Sequence, residues 1–225
     1  MAFQIPPSTH HIITSGKSYC AGRVYNLRVR QQGSLQRRIY PWSLNTQDQP
    51  ASANDSQRLF NAFIASLLCV LLLWLIKLIE LFAGLDLAQY GIYPRRLDGL
   101  AGVLFTPFIH ASIAHVFANS APLIVIGTLL VYGYPRSAKI VLPVVFLVGG
   151  FGVWLFAREA YHIGASGIAF GLLFFVLTIG ILRRARRDIA VSLIVFLLYG
   201  GMISGIIPGQ QDISFESHLS GALVG

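Results

Sequence analysis

Apolar and polar positions fall in long blocks along this chain. A polar leading segment, residues 1–58, is followed by apolar runs over 59–83, 115–132, 140–156, 165–182 and 189–207, each bounded by polar or basic loops. Runs of this length match the roughly 17–25 residues that cross a hydrocarbon core as a helix. The connection 84–114 is different. It holds Tyr90, Tyr93, Pro94 and Pro107 among apolar pieces, so we expect it to lie at the interface, half in the membrane. A sixth run, 217–225, has nine residues. At about 1.5 Å per residue it covers under half of a core of roughly 30 Å. Either the chain continues past Gly225 or the protein as it stands is poorly held and inactive. The expected fold is all-α, a polytopic membrane helix bundle, with 1–58 as a mostly disordered cytoplasmic tail and 59–225 as the transmembrane domain.

Composition agrees. Of 225 residues, 55% are hydrophobic and 12% charged, and the mean hydropathy is +0.65, which excludes an ordinary soluble domain. The net charge of +8 raises nucleic acid as a partner, but the basic residues sit in loops beside apolar spans. Seven lie in the leading segment, two in the 135–139 loop and four at 183–187, against Arg95, Arg96 and Arg158 on the opposite face. This is a topology signal that places the amino terminus in the cytoplasm, with no nucleic-acid role. Lys77 and Glu80, near the far end of the first span, are spaced to pair or to snorkel to the interface. Pro143 is expected in the first turn of its span, where proline is tolerated. Cys20 and Cys69 make neither a disulfide framework nor a metal pattern. The leading segment has no apolar core for a secretory signal, and a plain cytoplasmic tail is preferred over an organellar address.

That orientation places the starts of the second, fourth and sixth spans in one leaflet. They carry His115 with Asn119, Ser166, and His218. Polar groups at such depth are expensive and usually face a protein interior or wet cavity. Ser166 opens its helix between Gly164 and Gly167, where unpaired N–H groups and a partial positive potential meet any negative charge developing on an oxygen. Taken alone, the motif reads first as a close-packing face, with Ser166 bonding back to a carbonyl one turn earlier. Ser166 needs a base, and His218 is the candidate, since a neutral imidazole titrates near neutral pH. Gly167 with Gly171, and Gly221 with Gly225, let the two helices approach. His115 and Asn119, four apart on one face, can either stabilise an oxyanion or tie two helices together. His110 is assigned a structural or water-holding role and His162 reads as loop. A zinc site from His110, His115 and His218 has no supporting carboxylate or Cys pattern, so no metal and no cofactor are expected.

At His110-Ala-Ser-Ile-Ala-His115-Val-Phe-Ala-Asn119, Gly164-Ala-Ser166-Gly167 and His218-Leu-Ser-Gly221-Ala-Leu-Val-Gly225 the chain resembles the rhomboid family of intramembrane serine proteases. The resemblance covers residue 59 to the end. It implies a six-helix core, Ser166 as nucleophile and His218 as general base. His115, Asn119 and the Ser166 backbone would line the oxyanion hole. It also implies hydrolysis of peptide bonds in or beside transmembrane segments of membrane-protein substrates. Three features depart from the family pattern: the Trp-Arg pair common in the first loop is absent, Phe170 stands where tyrosine is frequent, and the sixth span, 217–225, is cut short. Phe170 can still stack on His218.

The expected function is therefore an intramembrane serine endopeptidase using a Ser-His dyad. It would sit in a bacterial plasma membrane with its site toward the outer face. The alternative is a catalytically impaired relative that binds transmembrane segments without cleaving them. A small transporter is disfavoured because the polar groups gather in one leaflet.

Overall fold

The computed structural model describes residues 53–209 and 213–225, together with two short strands in the leading segment. The chain divides into two units, Met1–Pro50 and Ala51–Gly225. In the first, β1 (Ser18–Cys20) pairs antiparallel with β2 (Arg23–Tyr25), Ser18 opposite Tyr25. The expectation of a disordered tail otherwise lies outside the described residues. The second unit is a helical bundle.

Helix α1 (Ala53–Ala83) starts six residues ahead of its apolar run. Polar bonds one turn apart make the extra turns self-supporting: Arg58 pairs with Asp55 at 3.4 Å and the Gln57 amide donates to Asn61 at 2.8 Å. At roughly 46 Å, a 31-residue helix exceeds the hydrocarbon thickness, so its ends lie beyond the core. Gly84, at φ +64°, terminates it in the left-handed conformation that glycine adopts without strain.

The connection that follows is folded, not loose. It contains α2 (Leu97–Leu100), α3 (Gly102–Phe105) and 3-10 turns at Ala88–Tyr90 and Thr106–Phe108. Ile92 exchanges backbone bonds with His162 at 3.0 and 2.8 Å, and Thr106 Oγ1 donates to the His162 carbonyl at 2.9 Å. The Trp154 indole donates to the Arg96 carbonyl at 2.8 Å. These bonds satisfy an irregular backbone within the protein itself.

Helix α4 (Ile113–Gly133) is capped by Ser112, whose hydroxyl accepts the His115 N–H at 3.1 Å. Helix α5 (Pro135–Val144) begins with Pro135, five residues earlier than its apolar run. Pro143 consequently lies inside a helix and not in its first turn, contrary to the expectation above. Proline cannot donate to the carbonyl one turn back, and two residues later the helix widens into a π turn, Val145–Gly149, before resuming as α6 (Gly150–Phe156). Helix α7 (Ser166–Arg183) ends at Arg184, itself left-handed at φ 51°. Helix α8 (Arg186–Tyr199) tightens into a 3-10 stretch, Gly200–Ile206. Helix α9 (Phe215–Val224) starts at the Ser214 cap.

Among the described residues five segments are long and apolar enough to span a bilayer: Asn54–Ala83, Ile113–Gly133, Pro135–Phe156, Ser166–Arg183 and Arg186–Ile206. The protein is an integral membrane helix bundle. Helix α7 is its centre, with Leu172, Leu173 and Val176 packed on Ile126, Leu130 and Val195. Phe82, Leu182 and Leu197 are all more than 70% exposed. In water so much outward apolar surface would drive association, whereas hydrocarbon solvates it at no cost.

Helices α7 and α9 touch backbone to backbone. A Cβ at Gly167 would lie 3.0 Å from the Ser217 carbonyl, one at Gly221 would overlap the Gly167 carbonyl, and one at Gly225 would overlap that of Gly171. Glycine at these positions is what lets the two helices approach.

Candidate active site

Ser166 is the first residue of α7, so its own N–H is among those without an intrahelical partner. The chain reaches it through Gly164 at φ +111°, and a Cβ there would stand 2.7 Å from the His115 ring. Only glycine combines that backbone angle with that closeness.

Close crossing of α7 and α9 brings the Ser166 hydroxyl within 2.9 Å of His218 Nε2. The other ring nitrogen, Nδ1, lies 2.9 Å from the Gly205 carbonyl oxygen. A carbonyl oxygen can only accept, so Nδ1 carries the proton and Nε2 presents its lone pair to the serine. The tautomer is that of a base poised to take the hydroxyl proton. Phe170, one turn beyond Ser166, stacks on the His218 ring with centroids 4.2 Å apart and planes within 5°. The imidazole is thus held by a hydrogen bond on one edge and an aromatic face on one side.

On α4, His115 is half-buried and meets His110 edge to face, ring centroids 5.0 Å apart. Asn119 is buried, and its amide donates to the His115 carbonyl within the same helix at 3.1 Å. Both residues therefore belong to the helix that flanks the Gly164 turn, with the Asn119 side chain turned along its own helix.

His110 is 1% exposed, and its Nε2 accepts the Ala165 N–H at 3.3 Å, which ties the end of the interfacial connection to the residue before the serine. Burial first, and the adjacent His115 second, push His110 down to about 4, so it is neutral at physiological pH. Among the described residues no three His, Cys, Asp or Glu side chains gather as a metal group.

Several participants were missed by sequence reasoning. His162, read as loop, is buried: its Nε2 donates to the Arg158 carbonyl at 3.0 Å, and its Nδ1 accepts from the Ser214 hydroxyl at 2.6 Å. Ser214 caps α9, the His218 helix, and bonds Ser217 Oγ at 2.7 Å. Burial holds the His162 ring below its ordinary value, neutral and able to accept. The Gly205 carbonyl was missed because a backbone acceptor leaves no mark on residue type. Lys77 and Glu80 do pair, at 2.9 Å, and are buried instead of snorkelling.

Comparison with known proteins identifies the family. The family described as Rhomboid domain matches residues 98–225, more than half of the chain. An uncharacterized protein of Mycobacterium bovis is 39% identical over 165 residues, covering 69% of each chain. One of Mycobacterium leprae is 34% identical over 163 residues, 68% of this chain and 64% of its own. The RHOMBOID-like protein 1 of Arabidopsis thaliana is 30% identical over 123 residues, 51% of this chain and 30% of its own. No solved structure gives a significant match. On the strength of the domain match and the bundle that carries it, this chain belongs to the rhomboid family, whose members are intramembrane proteases or their inactive homologues.

Proposed function

We propose that the chain is an active intramembrane serine endopeptidase, and that Ser166 and His218 are its catalytic pair. The single observation that carries this reading is the oriented relay from the Gly205 carbonyl through His218 to Ser166 Oγ, with both hydrogen bonds at 2.9 Å. A merely structural serine would need no base with a fixed tautomer.

In this reaction His218 Nε2 takes the Ser166 hydroxyl proton as Oγ bonds to the scissile carbonyl carbon. The resulting oxyanion lies at the start of α7, where the Ser166 N–H and the helix dipole stabilise it, with His115 and Asn119 as side-chain donors from α4. For Asn119 this requires its amide to leave the His115 carbonyl. The imidazolium returns its proton to the leaving amine, the C–N bond breaks, and an acyl-serine remains. Water, deprotonated by the same imidazole, then releases the carboxylic acid and restores Ser166. The substrates in this reading are transmembrane segments that unwind locally to present a peptide bond. The basic-residue count further supports a cytoplasmic amino terminus, a site facing the outer leaflet of a bacterial plasma membrane, and residues 1–58 as a cytoplasmic tail.

The test is labelling by a fluorophosphonate together with cleavage of a single-span reporter in detergent. Wild type should do both and Ser166→Ala neither. Labelling that persists in Ser166→Ala would overturn the nucleophile. Reporter capture without cleavage by wild type would favour a binding-only relative.

A further inference from the structure

Lys77 and Glu80 lie near the end of α1, 9% and 8% exposed. The Lys77 ammonium spends its three donors on Glu80 Oε2 at 2.9 Å, the His110 carbonyl at 2.9 Å and the Ala111 carbonyl at 3.4 Å. The other Glu80 oxygen accepts the Leu87 N–H at 3.2 Å. One ion pair thus grips Leu87, where the interfacial connection begins, and His110 with Ala111, where it ends. The next residue is Ser112, cap of the helix whose first turn carries His115. His110 in turn bonds the amide of Ala165, the neighbour of Ser166.

We propose that Lys77 and Glu80 are positioning residues that buckle the two ends of the connection together and so set the register of His115 and of the turn leading into Ser166. The proposal rests on the protease reading for its kinetic consequence, though not for its structural one. Charge pairs buried in a protein are a poor source of stability, because well-packed apolar side chains of similar volume usually serve as well. They are costlier still within a membrane helix. What an apolar pair cannot do is bond two carbonyls and one amide from opposite ends of a connection almost thirty residues long. The ammonium is therefore explained by the backbone groups it orders. Apolar packing from the rest of α1 already fastens that helix to α4.

The experiment uses the full chain in detergent and compares wild type with the double variant Lys77→Met/Glu80→Leu. It reads the melting temperature, amide hydrogen exchange over 105–115, and kcat and KM for a single-span reporter. The double variant should melt within a few degrees of wild type and yet exchange faster at 109–115. Its kcat should drop at least roughly tenfold with KM little changed, a loss of about 1.4 kcal/mol in transition-state stabilisation. Wild-type exchange and kcat in the double variant would overturn the proposal. If the double variant does not fold, Glu80→Gln is read in its place: faster exchange and lower kcat at a near-native melting temperature support the buckle, and wild-type values reject it. Should wild type cleave nothing, the protease reading fails by itself, and the exchange comparison alone decides whether the buckle exists.

Discussion

The carbonyl oxygen of Gly205 accepts the Nδ1 proton of His218 at 2.9 Å, on the far side of the ring from Ser166. A neutral peptide group thereby does what a carboxylate does in a serine triad: it selects the tautomer and holds the ring in line. Gly205 is also sterically committed, since a Cβ there would lie 3.0 Å from both His218 Nδ1 and Phe170 Cζ. Gly205→Val should therefore displace the ring and lower kcat by roughly 10²-fold, within the range that general-base catalysis supplies. The melting temperature should fall by only a few degrees, because the atoms that the new Cβ meets belong to the His218 and Phe170 side chains, which can shift, and not to backbone. Reporter cleavage alongside thermal unfolding checks this, and unchanged kcat would remove the Gly205 contact from the mechanism.

Phe170 offers a graded test of ring support. Phe170→Tyr keeps the stack on His218 and should retain nearly full activity. Phe170→Ala removes it, and with aromatic pairs worth about 1 kcal/mol beyond their buried area, activity should fall several-fold to roughly tenfold. Equal activity in the two variants would show that the stack does not orient the base.

The crossing of α7 and α9 is decided at Gly221. Any side chain there meets the Gly167 carbonyl, which is backbone and cannot step aside. Gly221→Val should destabilise by at least about 2 kcal/mol, in the range of overpacking into a close interface. It should also abolish fluorophosphonate labelling, because parting the helices lengthens the Ser166–His218 hydrogen bond. Gly201, whose Cβ would meet nothing within 4 Å, supplies the control: Gly201→Ala should label and melt as wild type. Labelling of Gly221→Val at the wild-type rate would sink the close-crossing argument.

The buried histidines set a pH dependence of stability with a definite sign. His110 is held down to about 4 by burial and His162 is lowered in the same direction, whereas an unfolded histidine titrates near 6.5. Between those values the unfolded chain binds more protons than the folded one. Stability is therefore complete above about pH 6.5 and declines as the pH falls toward 4. His110 alone accounts for roughly 3 kcal/mol over that window. Thermal unfolding at a series of pH values should show the decline, and His110→Gln should flatten it while lowering stability at pH 7. A wild-type melting temperature independent of pH from 7 to 4.5 would contradict the burial of these rings.

Much of the architecture was legible in the chain. Long apolar blocks admit only membrane helices, since a span must satisfy its backbone internally. The alternation of spans then puts the helix starts that carry Ser166, His115 with Asn119, and His218 on one side. Helix beginnings were less legible. α1 and α5 start earlier than their apolar runs because Asp55 with Arg58, and Pro135 at the first helical position, support turns that hydropathy does not register.

By itself, then, the sequence determined that this protein spans a membrane, which helices hold the serine and the imidazole, and that glycines allow those helices to meet. The reason is that apolar block length, loop charge and residue size act locally along the chain. Only the tertiary structure decided which carbonyl fixes the His218 tautomer, that His162 holds Ser214, the cap of the His218 helix, and that Lys77 and Glu80 turn inward to join both ends of a connection. Those choices are made by backbone groups and by residues far apart in the chain, where hydrogen-bond partners exist only once the helices have packed.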